Sequence, residues 1–263
     1  MPPELSDLKR LAREAGQMIR AVEPAGRSQH TKDTSIDIVT ETDRAVEDFL
    51  LGEIRAGFPG DAIIAEESGG SPGEGNGAWY IDPIDGTTNF AHGLPLFSVS
   101  IAFAVAGVIQ LGVVYNPVLD ELYSAARGQG AWLNDIPKRC TQEDILERAL
   151  LVTGFPYDRF SNPVNNLRQF NHFALKAQGM RRLGSAALDL CYVAAGRVDG
   201  YWEMRLAPWD LAAGWLIAEE AGAVVTRTDG VTDLLKPPHS ILAANPALHA
   251  VMLAELWSIA AAL

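Results

Sequence analysis

Cysteine is almost absent: 263 residues contain two, Cys140 and Cys191. Neither has a CxxC or CxxH neighbourhood, so a disulfide framework and a thiolate zinc site are both excluded, and a reducing cytoplasm is the expected setting. Positive charge is scarce as well. Lys and Arg total 21 against 33 Asp and Glu, a formal net charge of -12. Nucleic-acid backbones and anionic membranes require clustered positive surface, so direct electrostatic binding to either is not expected. The amino terminus carries Glu4 and Asp7 and no continuous apolar run, and a signal peptide is not expected. From Gly86 to Leu119 there is no charged residue at all, a length that would suit a bilayer. Ser98, Ser100, Gly107, Gln110 and Gly112 interrupt it, however, and Val99, Ile101, Phe103 and Val105 alternate with smaller residues. That pattern predicts a buried hairpin turning near Ala106 and Gly107.

What is present in quantity is apolar surface, at 48% of residues, enough to fill one large domain or two moderate ones. Two lobes are expected, residues 1–138 and 139–263, with the boundary at the composition change from Asn134 to Thr141. In the first lobe, Leu8, Leu11, Ala12, Ala15, Met18, Ile19 and Val22 make the stripe of a helix over Leu5 to Val22. Polar residues 23–36 predict a mobile loop. A short strand at Ile36 to Val39 precedes a helix capped by Thr40 or Thr42, running to about Arg55 and ended by Gly57. Ala62 to Ala65 reads as a strand, and strands near 97–106, 108–116 and 121–126 as a meander closed by Gly128 and Gly130. Beyond the boundary, strands at 149–153, 180–183, 199–204, 223–226 and 240–243 alternate with helices at 163–177, 186–196, 208–221 and from Pro246. The 163–177 helix is predicted to be capped by Asn162 with Pro163 at its first position. This alternation marks an α/β lobe.

The chemistry concentrates in residues 79–90, WYIDPIDGTTNF. Trp79, Tyr80 and Ile81 predict a short buried strand that delivers Asp82 and Asp85 to its carboxyl end, where Gly86, Thr87, Thr88 and Asn89 open a helix. Pro83 stiffens the loop between the acids. A helix start favours phosphate, yet carboxylates repel it, so a cation must lie between them. With no His or Cys in the stretch, the donor set calls for a hard ion, magnesium first and manganese second. Elsewhere the acids are ambiguous. Asp43 and Asp210 each fall in a first helical turn, where a carboxylate ordinarily complements the dipole; Glu66 and Glu67 end a strand and can form a four-carboxylate cluster with the two acids of the central motif.

The segment from Trp79 to Phe90 resembles the W-x-x-D-P-x-D-G-T-T-N-F signature of the inositol monophosphatase family of magnesium-dependent, lithium-sensitive phosphatases. The resemblance extends to DIVTETD (Asp37 to Asp43), IAEES (Ile64 to Ser68), Gly184 to Ala186, and WDLAAGWLIAEEAG (Trp209 to Gly222). It implies a layered αβαβα sandwich of the sugar-phosphatase type with the active site between two lobes. It also implies two or three Mg2+ ions, held by Glu66, Asp82, the Ile84 carbonyl, Asp85 and, from the second lobe, Asp210. Asp43 and Thr87 would handle the proton of the attacking water, with Glu66 also in a catalytic role. Asp85, Gly86, Thr87, Thr88, Gly184, Ser185, Ala186, Glu203 and Arg205 would contact the substrate, Glu67 would adjoin the metal site, and Lys32 would fold over it. The expected reaction is hydrolysis of myo-inositol 1-phosphate and related small polyol or sugar phosphates, in a homodimer. Fructose 1,6-bisphosphate, NADP, histidinol phosphate and 3′-phosphoadenosine 5′-phosphate are alternatives within the family. A regulatory or scaffolding protein is an alternative outside catalysis, since some bacterial relatives associate with the transcription machinery.

Overall fold

A computed structural model describes residues 1–22, 29–31, 38–70 and 73–261 of the chain. The amino-terminal stripe forms α1 (Leu5–Ala21), with Leu8, Leu11, Ala12, Ala15 and Ile19 buried. A short antiparallel pair, β1 (Gln29–Thr31) and β2 (Ile38–Thr40), leads into α2 (Glu41–Gly57). Of the two candidate caps, Thr40 is the one used, in a reciprocal capping box with Asp43. Next come β3 (Ala62–Ala65), β4 (Gly77–Asp85), the short helix α3 (Thr87–Ala91), β5 (Ser98–Val105), β6 (Val108–Asn116), β7 (Glu121–Ala126), β8 (Ala131–Leu133) and β9 (Ile136–Lys138). These seven strands form one sheet in sequence order, with β3 parallel to β4 and every later pair antiparallel.

The remaining elements are β10 (Leu150–Thr153), α4 (Leu167–Ala174), β11 (Gly179–Arg181), α5 (Ala186–Ala194), β12 (Gly200–Met204), α6 (Pro208–Glu220), β13 (Val224–Thr226), β14 (Ser240–Ala244) and α7 (Pro246–Ala261). The second sheet has the order β11-β10-β12-β14-β13, parallel across the first three strands and antiparallel across the rest.

Side-chain alternation sorts these elements into layers. On β5, Val99, Ile101 and Phe103 face α1 and α2, whereas Ala102 and Ala104 face α5 and α6. On β12, Tyr201 faces α5 and α6, whereas Trp202 faces α4 and α7. The result is five layers, helices, sheet, helices, sheet, helices, as the αβαβα expectation requires. The middle layer has sheets on both sides, so its helices are apolar all round: all nine residues of α5 are buried. Close approach there depends on small residues. A Cβ on Gly112 of β6 would stand 2.8 Å from the Ala213 carbonyl oxygen of α6. No helix among the described residues is long and apolar enough to cross a membrane, and Gly86 to Leu119 folds as α3, β5 and β6.

Two expectations are corrected, and one unexpected hairpin is found. The helix expected over 163–177 begins only at Leu167. Asn162 accepts instead from the Val164 amide in a local turn, and Asn166 is drawn inward. Its side chain donates to Thr153 Oγ1 and the Gly154 carbonyl and accepts from Trp202 Nε1, which fixes its backbone at φ 67 and blocks the helix from extending backward. Within the expected boundary segment 134–141, β8 and β9 form a hairpin across Asn134 and Asp135, both at positive φ; that dipeptide turn is the signal that was available. Finally, β4 runs on to Asp85 and carries Pro83 inside it, where the register against β5 shifts between Asp82 and Asp85.

Candidate active site

That register shift decides where the two acids point. Two residues of β4, Pro83 and Ile84, oppose one of β5, since Asp82 pairs with Ser100 and Asp85 with Ser98. In a regular strand, residues three apart face opposite sides; one extra residue restores them to the same side. A bulge is also where a strand tolerates proline. Because β3 and β4 are parallel, their carboxyl ends share an edge, and the Glu66 amide there donates to the Ile81 carbonyl at 3.3 Å. Glu66 is the neighbouring charge that acts most strongly on Asp82. Asp210 comes from the third residue of α6, turned back so that its Oδ2 accepts the Ala207 amide at 2.7 Å.

These acids line one cavity of about 350 Å³, together with Ile84, Gly86, Thr87, the loop from Gly154 to Tyr157, Arg182, Gly184, Ser185, Ala186, Glu203 and the segment from Arg205 to Ala207 with Trp209. Thr88 and Glu67 do not line it, and Lys32 lies outside the described residues. Arg182, Trp209 and residues 154–157 were missed by sequence reasoning. Arg182 and residues 154–157 sit in loops without periodicity and Trp209 in the first turn of α6, and only the fold brings them to the site.

Burial, with crowding added to it, raises five of the acids. Burial, followed by the charges of Glu66, Asp85 and Asp210, holds Asp82 well above the ordinary carboxylate range. Asp210 is raised in the same way, by burial and then by Glu66 and Asp85. Burial pushes Asp85 up to about 6 against three hydrogen bonds that favour its ionised form. Those bonds come from Ser185 Oγ at 2.6 Å and the amides of Ala187 at 2.7 Å and Ala186 at 3.2 Å. The start of α5 therefore clasps Asp85, and the Ser185 hydroxyl and Ala186 amide expected to meet substrate hydroxyls are committed to that carboxylate. Glu203 is pushed to about 7 by burial, with the Tyr201 hydroxyl bonded to it at 2.7 Å.

Asp43, fully buried, is raised to about 6 by burial. It accepts from the Thr40 amide and hydroxyl through one oxygen, and its other oxygen lies 3.0 Å from Thr87 Oγ1, itself 3.1 Å from the Ile84 carbonyl oxygen. Positive charge also lines the cavity: Arg182, whose charge acts on Glu203, and Arg205, whose guanidinium is paired with Asp158 at 2.8 Å and whose backbone is left-handed at φ 61.

Among the described residues, no three acids, histidines or cysteines are drawn together tightly enough to hold a metal as they stand. The donor set is nevertheless all oxygen, and hydrogen bonds use one lone-pair site on Asp82, one on Asp210 and three on Asp85, two from amides and one from the Ser185 hydroxyl, of the roughly four each carboxylate offers. The remainder suits a hard cation, which would also relieve the repulsion.

A family model described as "Inositol monophosphatase family" matches residues 4–261. The Nus factor SuhB of Pasteurella multocida is 44% identical over 246 residues, covering 93% of this chain and 92% of that protein. The inositol-1-monophosphatase of Mesorhizobium japonicum is 44% identical over 218 residues, covering 82% of each. The solved structure of inositol monophosphatase from Anabaena (Nostoc) superposes with a TM-score of 0.85 at 43% identity, covering 95% of this chain and 93% of that one.

Proposed function

Since the chain belongs to the inositol monophosphatase family and is accordingly a phosphomonoesterase, we propose that it hydrolyses myo-inositol 1-phosphate and related small polyol and sugar phosphates with Mg2+. The observation that carries this reading is the convergence of Glu66, Asp82, Asp85 and Asp210 on one cavity, beside the Asp43 and Thr87 pair. In it, Glu66, Asp82, the Ile84 carbonyl, Asp85 and Asp210 hold the divalent cation. Such an ion supplies the charge that lets a phosphoryl group approach four carboxylates and acidifies the attacking water.

The protein's own groups do the rest. Thr87 Oγ1 stands between the cavity and Asp43, so it passes the water proton to Asp43, which at about 6 is ionised near neutral pH. Ser185 and the α5 amides hold Asp85 in one orientation. Glu203 accepts a hydroxyl of the polyol, and Arg182 and Arg205 supply positive charge at the cavity wall. The same reading includes two lobes, 1–138 and 139–263, a homodimer, lithium inhibition and a cytoplasmic location.

Relatives named Nus factor SuhB support a second reading, a regulatory protein built on this fold. The acids argue for catalysis, because a scaffold has no use for carboxylates raised so far by burial and by one another's charge. Phosphate release from a panel of monoesters separates the two. Release that depends on Mg2+ and stops on chelation is expected, with inositol phosphates giving the highest kcat/KM; no release from any ester would reject the enzymatic reading.

A further inference from the structure

Glu47 is a buried acid for which the reaction described above has no use. It lies on α2 four residues beyond Asp43 and is 2% exposed. Its Oε2 accepts from the Glu67 amide at 2.8 Å, and its Oε1 accepts from the Ser68 amide at 2.7 Å. These are the two amides that directly follow Glu66. A carboxylate bridging consecutive amides prevents either peptide from turning unless a charge-assisted hydrogen bond breaks, and such bonds are roughly twice as strong as neutral ones. On its other side Glu66 is tied through its own amide to Ile81 of β4. The backbone of Glu66 is thus gripped from both directions, by the sheet and by α2.

Asp43 and Glu47 share one face of α2, about 5–6 Å apart at Cβ as any residues four apart on a helix are. The first meets Thr87 of α3, and the second holds the loop after β3. A single rigid helix therefore sets the spacing between the proton-handling pair and Glu66. If stability were the only requirement, adding another buried negative charge next to the Glu66 loop would be a poor choice.

We propose that Glu47 is a positioning residue: it fixes Glu66 at the cavity in register with Asp43 and Thr87, and so sets the affinity for the divalent cation. This rests on the reading that Glu66 is one of that cation's ligands. Partners of this kind typically contribute 10- to 100-fold in metal affinity.

The test uses the whole protein, freed of ions and titrated with Mn2+ by calorimetry. Glu47→Gln keeps the length but turns an NH2 toward one of the two amides, so one bond is lost. The expected result is a Mn2+ affinity about 10- to 100-fold weaker, faster hydrogen exchange at the Glu67 and Ser68 amides, and kcat at saturating ion much less affected. Glu47→Ala should weaken binding further; if that variant does not fold, the Gln result stands alone. Wild-type affinity in Glu47→Gln, even with a lowered Tm, would reduce Glu47 to a plain structural cap and overturn the proposal while leaving the function intact. A wild-type protein that takes up no divalent cation would overturn both.

Discussion

At the scale of residues, Asp43 is the group whose chemistry is most directly accessible. It serves as a proton acceptor only when ionised, and burial has moved it to about 6. A bound cation would lower that value, so with ion held saturating kcat/KM should fall only as pH drops below about 6 and should be level above it. Asp43→Asn cannot accept a proton at any pH; it should lose that limb of the profile along with about 10²- to 10⁴-fold in rate, while calorimetry shows Mn2+ still bound. An unchanged profile in the variant would assign the titration elsewhere. Asp210→Asn differs in kind. Its carboxylate faces the cavity directly, so its loss should appear first in ion affinity.

At the scale of elements, the site depends on how closely backbone approaches side chain. A Cβ on Gly154 would fall 2.1 Å from Glu203 Oε1, so Gly154→Ala must push that carboxylate out of place. Because Glu203 is assigned to a substrate hydroxyl, KM should rise for polyol esters while kcat/KM for a small aryl phosphate changes little; equal losses on both would refute the assignment. Gly112→Ala acts away from the cavity, forcing β6 and α6 apart at the Ala213 carbonyl. It should cost about 1–3 kcal/mol, as overpacking typically does, read as a shift in denaturation midpoint. The same scale shows where sequence patterns reach their limit. Sequence patterns located α1, α2 and the meander to within a residue or two, since the helices bury one face in a regular stripe and the strands are apolar runs bounded by turn residues. They overextended α4, because the polar Asn166 is pulled into the core by Thr153, Gly154 and Trp202, partners 12 to 36 residues away.

For the whole molecule, the acids make ion and fold interdependent. In the ion-free protein, Asp43 and Asp85 titrate near 6 and Glu203 near 7, against about 4 when unfolded. Between those values the folded state binds more protons than the unfolded one, so stability should decline as pH rises from about 4 to 7. Below about 4 both states are protonated and the effect is fully relieved. Thermal scans with a chelator should show Tm falling across that window, and Mg2+ should restore most of it at pH 7 by binding only the folded state. A Tm that rises with pH in chelator would contradict the raised carboxylates.

The sequence determined the central motif, the hard-ion donor set and the alternation that builds the layers, because all of these follow from local spacing and residue type. Whether Asp82 and Asp85 faced the same way was not contained in their spacing; the bulge at Pro83 and Ile84 decided it, and a bulge exists only against a partner strand. Likewise Ser185, Asp210, Arg182 and Glu47 acquired their places from segments as many as 144 positions away from Glu66 and from the packing of α5 and α6 between two sheets. Convergence of distant chain is a property of how faces are buried, and no local pattern of side chains encodes it.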